Sequence, residues 1–159
     1  MSEKLQLREN KALKITNALI YGAPLDAKFD IQRIVYMMQS YIKTKGWQTR
    51  GPLITSTSLS KSVEGSGPVL NTKIILQLTK PAESCESPYT FEPLIRVSPC
   101  LFVRFTGSVQ DLQYASMKAS VYAFENDIKL DGSSYTVFVN QNDQYLLADV
   151  FMPIRQDVK

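Results

Sequence analysis

The chain repeats one pattern of secondary structure twice, and this duplication constrains its fold more than any other feature of the sequence. Residues 12–81 and residues 93–153 each read as strand, long helix, glycine, strand, loop and strand. Each repeat stops at a proline, Pro81 in the first and Pro153 in the second. Since one repeat alone has too few strands to bury its helix well, the duplication predicts that both contribute to one sheet.

The closing segments of the two repeats align, residues 73–81 with residues 145–153. In that alignment Asp149 takes the position of Gln77. The second repeat therefore carries a carboxylate where the first carries a neutral amide. A duplicated fold with one asymmetric charge predicts a shared cleft with a polar group set into it.

Composition excludes several classes of function. The chain has 159 residues, 44% apolar and 21% charged, which is ordinary for a globular domain. Its net charge of +3 comes without a basic cluster, so we expect no direct nucleic-acid partner. No apolar run reaches the ~18 residues of a membrane span, and residues 1–8 lack the apolar core of a signal peptide. We therefore expect a cytoplasmic protein without membrane contact.

Histidine is absent from the sequence, which excludes histidine bases, serine triads and histidine metal sites. The two cysteines, Cys85 and Cys100, are a poor basis for a zinc site or a disulfide framework. The sequence also lacks a glycine-rich phosphate loop. We expect no metal and no cofactor.

The first repeat, about residues 13–81, follows a charged segment over residues 1–12 that predicts an irregular tail. A strand is predicted from Leu13 to Tyr21, and a helix that begins at Asp26 or Asp30. The helix has one apolar stripe at helical spacing: Ile31, Ile34, Val35, Met38 and Ile42. Gly46 suits its C-terminal cap. Strands over 52–57 and 73–79 follow, joined by a Ser/Gly-rich hairpin loop over 60–71.

A proline-rich linker over 82–92 leads into the second repeat, about residues 93–155. An extended arm interrupted by Pro99 precedes a helix capped by Ser108, and strands over 135–139 and 145–152 close the repeat. The helix places small and apolar residues on one face: Leu112, Ala115, Ala119, Tyr122 and Ala123. We predict a single α+β domain over 13–155, one curved antiparallel sheet with two helices on one face.

Alternation in the last strand separates two faces. Leu146, Ala148, Val150 and Met152 point to one face, which suits packing on helices. The other face holds three residues besides the carboxylate: Tyr145, Leu147 and Phe151. A buried unpaired carboxylate costs several kcal/mol. Asp149 is therefore expected to be paired with Arg96 or Arg104, to face solvent, or to await a cationic ligand.

Three short segments carry a family resemblance. Residues 103–112 run from a strand through a glycine into a helix, residues 149–154 place an acidic residue four positions before a proline, and residues 51–53 open a strand with Gly-Pro. These motifs resemble the GyrI-like effector-binding family, over about residues 13–155. That family includes DNA gyrase inhibitor proteins and the ligand-sensing domains of multidrug-responsive transcription regulators.

The resemblance implies a ligand site in the cleft between the repeats. In many members the acidic residue is Glu and attracts cationic or polar aromatic ligands, so this role falls on Asp149, which is one methylene shorter. Tyr145 and Phe151 would form aromatic walls, joined from the first repeat by Tyr21 and Trp47. Such walls favour flat cations. Trp47 also fits a core position at the corner between helix and strand.

Three functions are compatible with the sequence. The first is a stand-alone small-molecule (effector) binding module for an aromatic or cationic ligand, since only about ten residues precede the first strand. The second is a protein-interaction module of the gyrase-inhibitor type, which needs no ligand. The third is a small hydrolase that uses Asp149 and a tyrosine. Because no second acidic residue is placed beside Asp149, we assign no catalytic residue.

Overall fold

The computed structural model of the chain repeats a strand–helix–strand–strand order, as the sequence predicts. It describes residues 4–24, 30–61, 68–142 and 144–155. Over these residues the elements are, in order, β1 (Lys4–Pro24), α1 (Ile31–Thr44), β2 (Leu53–Lys61), β3 (Pro68–Gln77), β4 (Tyr89–Gly107), a short 3-10 turn (Val109–Asp111), α2 (Gln113–Glu125), β5 (Ser134–Gln141) and β6 (Leu146–Pro153). The strand pairs described below run antiparallel. The predicted α+β class with two β-α-β-β repeats is therefore confirmed.

The chain divides into two compact units that follow the two repeats. The first unit spans residues 14–95, and the second combines the residues up to Leu13 with those from Arg96 onward. In the first unit the strand order is β1–β3–β2, and in the second it is β4–β6–β5. The closing strand of each repeat thus lies between its two partners. The single domain over 13–155 stays a prediction.

Helix α1 packs on the first unit through the predicted stripe. Asp30 begins the helix, since its Oδ1 accepts a hydrogen bond from the backbone N–H of Arg33 at 3.3 Å. Asp26, the other predicted start, lies outside the described residues. Ile34, Met38 and Ile42 are buried in the core of this unit. The helix ends before Gly46, whose φ of +76° gives the left-handed cap that the sequence predicts.

Helix α2 packs on the second unit through alanines. Ala115, Ala119 and Ala123 are buried, while Leu112 and Tyr122 lie partly buried against the same core. Because alanine has no side chain beyond Cβ, the helix backbone lies close to the sheet. The predicted buried face of this helix is confirmed.

The closing strands of the two repeats match position by position. In both units the same three alignment positions belong to the helix-packed core: Ile74, Leu76 and Leu78 in the first, and Leu146, Ala148 and Val150 in the second. Strand alternation then places Gln77 and Asp149 each on the face of its strand that points away from the helix. The alignment deduced from the sequence therefore matches residues that have equivalent positions in the two cores.

The N-terminal segment is a strand, and the predicted tail is wrong for residues 4–12. β1 begins at Lys4 and continues without interruption to Pro24. The sequence conceals this strand because most of its early side chains are exposed and polar, whereas Leu7 packs partly buried against the core of the second unit. The alternation of apolar and polar residues, which is the usual sequence signal for a strand, is therefore weak in this segment.

Several other boundaries are wider than predicted. β2 and β3 extend into the predicted loop as far as the pair Lys61–Pro68, and residues 62–67 lie outside the described part. β4 begins at Tyr89, within the predicted linker. Pro99 does not interrupt this strand, because it contributes its carbonyl, which accepts a hydrogen bond from the N–H of Ile154 at 2.9 Å. Asp143, part of the predicted turn before β6, is also outside the described residues.

Substitution of a buried alanine on α2 tests the close approach of helix and sheet. We expect Ala119→Leu to lower the free energy of unfolding by about 1–3 kcal/mol, since Ala119 is fully buried and its site has no room for three more carbons. Ser120→Leu, at the exposed neighbouring position, is expected to change it by less than about 0.5 kcal/mol. Urea denaturation measures both, and equal stabilities would contradict the packing described.

The two cysteines provide a second test. Cys100 is fully buried, and its pKa is raised to about 11 by desolvation and, secondarily, by the charge of Asp131. Since the thiolate is the reactive form, we expect Cys100 to resist alkylation in the native protein near neutral pH. Cys85 is partly exposed and should react first. Mass spectrometry of the peptides after timed alkylation measures the extent of labelling at each cysteine. Rapid labelling of Cys100 in the native protein would contradict its burial.

Candidate functional site

A bidentate ion pair lies on the face of the second unit opposite α2. Arg104 Nε donates to Asp149 Oδ1 at 2.8 Å, and Arg104 Nη2 donates to Asp149 Oδ2 at 2.9 Å. Both carboxylate oxygens therefore accept a hydrogen bond from one guanidinium. This fork-to-carboxylate geometry is the strongest form of a protein ion pair.

Strand register produces this pair. Arg104 on β4 lies directly opposite Asp149 on β6, and Val137 on β5 lies opposite Asp149 on the other side. Residues that are directly opposed in an antiparallel pair have their side chains on the same face, close enough to bond. Of the alternatives that the sequence leaves for Asp149, the structure selects the pair with Arg104.

Burial differs between the two partners. The Asp149 side chain is 12% exposed, whereas that of Arg104 is 46% exposed. The hydrogen bonds to Asp149 and the attraction of its charge raise the pKa of Arg104 above its ordinary value. The carboxylate is thus fixed within the sheet, while the guanidinium has direct access to water.

Aromatic rings lie beside the ion pair. Phe102 on β4 lies opposite Phe151 on β6, with ring centroids 5.1 Å apart. Arg104 Cζ lies 5.9 Å from the centroid of Phe102, and Lys11 Nζ lies 6.0 Å from the same centroid. Tyr135 on β5 is opposed to Phe151. The predicted wall residue Phe151 therefore belongs to a face that combines aromatic surface with charge.

Two members of this face were not assigned to the site from the sequence. The site predicted from the sequence does not include Phe102, and it includes Arg104 only as a possible partner of Asp149. Alternation along β4 puts Phe102 and Arg104 on one face, so a strand pattern was present in the sequence. The missing information was the register between β4 and β6, which sequence periodicity does not fix.

Tyr145, another predicted wall residue, precedes β6. It is half-buried, and its backbone N–H donates to Asn142 Oδ1 at 2.7 Å within the turn that leads into the strand. The turn thus fixes its backbone. Its contact with a ligand stays a prediction.

Tyr21 and Trp47 lie in the first unit, among other aromatic residues. Tyr21 is 6.1 Å from Tyr89, Tyr89 stacks on Tyr41 at 4.4 Å, and Tyr41 meets Trp47 edge-on at 5.8 Å, all between ring centroids. Both predicted residues pack partly buried against the core that α1 covers. The position of Trp47 agrees with the predicted core position at the corner between helix and strand. A ligand role for either residue stays a prediction.

A second surface of the second unit, the α2 groove, was not predicted. It has a volume of about 1130 Å³ and lies between the N-terminal part of β1, residues 7–11, and helix α2. Its helix side includes Tyr114, Met117 and Val121, which are 42–55% exposed. Phe124, on the same helix, is 86% exposed. Apolar residues on both faces of α2 were visible in the sequence, but only the fold shows which are left uncovered.

Membrane insertion has no support from the helices. Within the described ranges, neither α1 nor α2 combines the length and the apolar character that a bilayer-crossing helix needs.

Comparison with known proteins identifies the fold. No protein-family model matches the sequence, and no curated protein matches it. The crystal structure of the EcmrR C-terminal domain matches with a TM-score of 0.65 and 16% identity, over 99% of this chain and 100% of that domain. EcmrR in its complex with DNA matches with a TM-score of 0.62 and 12% identity, over 98% of this chain but 58% of that one.

Two proteins from Listeria innocua share the fold as well. An uncharacterised conserved protein has a TM-score of 0.55 and 12% identity, over 93% of each chain. A protein described as a hydrolase has a TM-score of 0.51 and 12% identity, over 96% of this chain and 92% of that one. At these identities the likeness is one of fold. It agrees with the GyrI-like fold that the sequence resemblance implies.

The unequal burial of the ion pair predicts unequal effects of removing its partners. We expect Arg104→Ala to lower the free energy of unfolding by about 2 kcal/mol, because a buried carboxylate loses its partner. This is below the ~3–5 kcal/mol of fully buried pairs, since Arg104 is half exposed. Asp149→Ala leaves a guanidinium that water solvates, and the expected loss is about 1 kcal/mol.

Urea denaturation measures these losses, with Arg96→Ala as the matched control. Arg96 is exposed on the same strand, so we expect a change within about 0.5 kcal/mol. A larger loss from Asp149→Ala than from Arg104→Ala would contradict the asymmetry.

Proposed function

We propose that the chain is a small-molecule (effector) binding module, and that an aromatic or cationic ligand binds on the face that carries Asp149. The observation that carries the proposal is the Arg104–Asp149 pair beside the Phe102–Phe151 ring pair, on the face of the sheet opposite α2, where Arg104 is 46% exposed. An ion pair of this kind is weak evidence for a role in stability, because desolvation offsets much of the attraction. A role in recognition explains its placement better.

The fold supports the proposal. The C-terminal domain of EcmrR has the same fold, and EcmrR is a protein that has been solved in complex with DNA. The resemblance of the sequence to GyrI-like effector-binding domains points in the same direction. We therefore propose that this chain carries the ligand-sensing part of such a system. The same proposal includes action through a protein partner.

The proposed ligand contacts are Asp149, Phe151 and Tyr145, as the sequence predicts, together with Phe102 and Arg104. The carboxylate supplies charge, and the partly exposed ring of Phe102, beside the buried ring of Phe151, supplies a surface on which a flat ligand stacks. Cation–π and stacking contacts contribute ~0.5–2 kcal/mol each. The assignment of Tyr21 and Trp47 as ligand contacts stays a separate prediction, since both belong to the first unit.

A protein-interaction role is the second candidate, and the apolar surface of α2 favours it. Exposed apolar residues at helical spacing mark surfaces that partner proteins cover. Met117 and Val121 lie one turn apart on this surface and are more than half exposed. The hydrolase alternative, which uses Asp149 and a tyrosine, stays a prediction.

A thermal-shift experiment tests the ligand-binding proposal. The protein is heated with a panel of planar aromatic cations and their neutral analogues. A ligand at a hundredfold excess over its dissociation constant stabilises the native state by ~2.7 kcal/mol, or roughly 5–10 °C in Tm for a chain of this size. We expect such a rise for cations, and its loss in Asp149→Asn.

Asp127→Asn is the matched control, since it removes an exposed carboxylate from the same unit. Its ligand response should equal that of the wild type. Absence of any shift across the panel, with all three proteins folded, would overturn the ligand-binding proposal and favour the protein-interaction role.

A further inference from the structure

We infer that Arg104 is an internal occupant of the ligand site, and that aromatic amidinium or guanidinium compounds are the ligands that replace it. The inference rests on the proposed function, because it requires a ligand at Asp149. It assigns Arg104 a role as the residue that determines specificity, through competition for the carboxylate.

The bonds of the guanidinium define the class of ligand. Two N–H groups of Arg104, on Nε and Nη2, donate to the two oxygens of Asp149 at 2.8 and 2.9 Å. An amidinium is likewise planar and positively charged, and it presents two parallel N–H donors with the same spacing. It can therefore form both bonds in the place of Arg104, whereas a quaternary ammonium group has no N–H to donate.

The aromatic surface defines the rest of the ligand. Arg104 Cζ lies 5.9 Å from the Phe102 centroid, so a planar cation already rests beside that ring. Phe151, which is 9% exposed, places a second ring 5.1 Å from that of Phe102. A ligand that joins an amidinium to an aromatic ring would keep the cation at Asp149 and add stacking area that the arginine side chain lacks.

The unequal exposure of the pair makes the exchange feasible. Asp149 is held by the sheet with 12% of its side chain exposed, while Arg104 is 46% exposed. A long arginine side chain turns its charged end into water by rotation about its own bonds. The incoming cation then takes the place of the guanidinium as the partner of the carboxylate. Lys11, 6.0 Å from the Phe102 centroid, is a further described cation beside this aromatic pair.

Competition of this kind lowers the apparent affinity for cations. If Arg104 occupies the site in about 90–99% of molecules, a ligand that must displace it binds about 10–100-fold more weakly than to the vacant site. Neutral and anionic analogues gain no partner when Arg104 leaves. Removal of the Arg104 charge should therefore strengthen binding of the cation selectively.

Three isosteric probes test the inference: naphthalene-2-carboxamidine, a cation; naphthalene-2-carboxamide, which is neutral; and naphthalene-2-carboxylate, an anion. Their dissociation constants are measured by calorimetry for the wild type and for Arg104→Gln. Glutamine retains an amide donor for Asp149 but carries no charge. We expect the amidine to bind Arg104→Gln at least about tenfold more tightly than the wild type, with little change for the other two probes.

Two further variants complete the design. Arg96→Gln removes the same charge from an exposed position on the same strand and should leave all three constants unchanged. The double variant Arg104→Gln/Asp149→Asn should lose the preference for the amidine over the amide. Circular dichroism establishes that each variant is folded, and the double variant provides a test without a buried unpaired charge.

Unchanged or weaker binding of the amidine to Arg104→Gln would overturn the inference. So would selective loss of carboxylate binding, because Arg104 would then itself recognise an anion. If no variant binds the amidine while an aromatic cation still raises the Tm of the wild type, the inference fails and the proposed function stands. If no probe or cation binds at all, both fail.

Discussion

Packing of each helix on the closing strand of its own repeat is the constraint on which the rest of the structure depends. In the second unit, α2 covers Leu146, Ala148 and Val150, and its alanines allow a close approach. Side chains alternate along a strand, so covering these three residues commits Asp149 to the opposite face. A shift of one residue would bury Asp149 beneath the helix without a partner, at a cost of several kcal/mol. The register is therefore fixed by the apolar core, and the ion pair follows from it.

The two repeats use the same scaffold and differ in what the face opposite the helix carries. In the first unit the positions that correspond to Arg104 and Asp149 are Ala18 and Gln77, which are also directly opposed. Gln77 Oε1 accepts a hydrogen bond from the backbone N–H of Thr16 at 3.0 Å, so its side chain serves the backbone. The same alignment puts Thr79 at the position of Phe151, so the first repeat has no aromatic ring there. The charged and aromatic face is thus a property of the second repeat, and this asymmetry motivates the search for function there.

Sequence patterns predicted the parts of the fold that long, periodic segments encode. The stripe on α1, the alanine face of α2 and the two faces of β6 follow from spacing, because helices and strands have fixed periods. The weakly patterned parts differ from their prediction: exposed polar side chains conceal the first residues of β1, and β4 continues through Pro99. In the candidate site, Asp149 and Phe151 were identified from their strand face. Phe102 was not, since its place beside Phe151 depends on pairing between strands that are distant in sequence.

By itself the sequence determined the duplication, the α+β class, the helix-packed cores and the single carboxylate that distinguishes the closing strands. These are local properties, set by side-chain periodicity and by burial of apolar surface. Tertiary structure decided which cation Asp149 meets. Arg96 and Arg104 lie on the same strand, and only the register that places Arg104 opposite Asp149 selects between them. Tertiary structure also decided which apolar residues of α2 stay exposed, because exposure depends on what the rest of the chain covers.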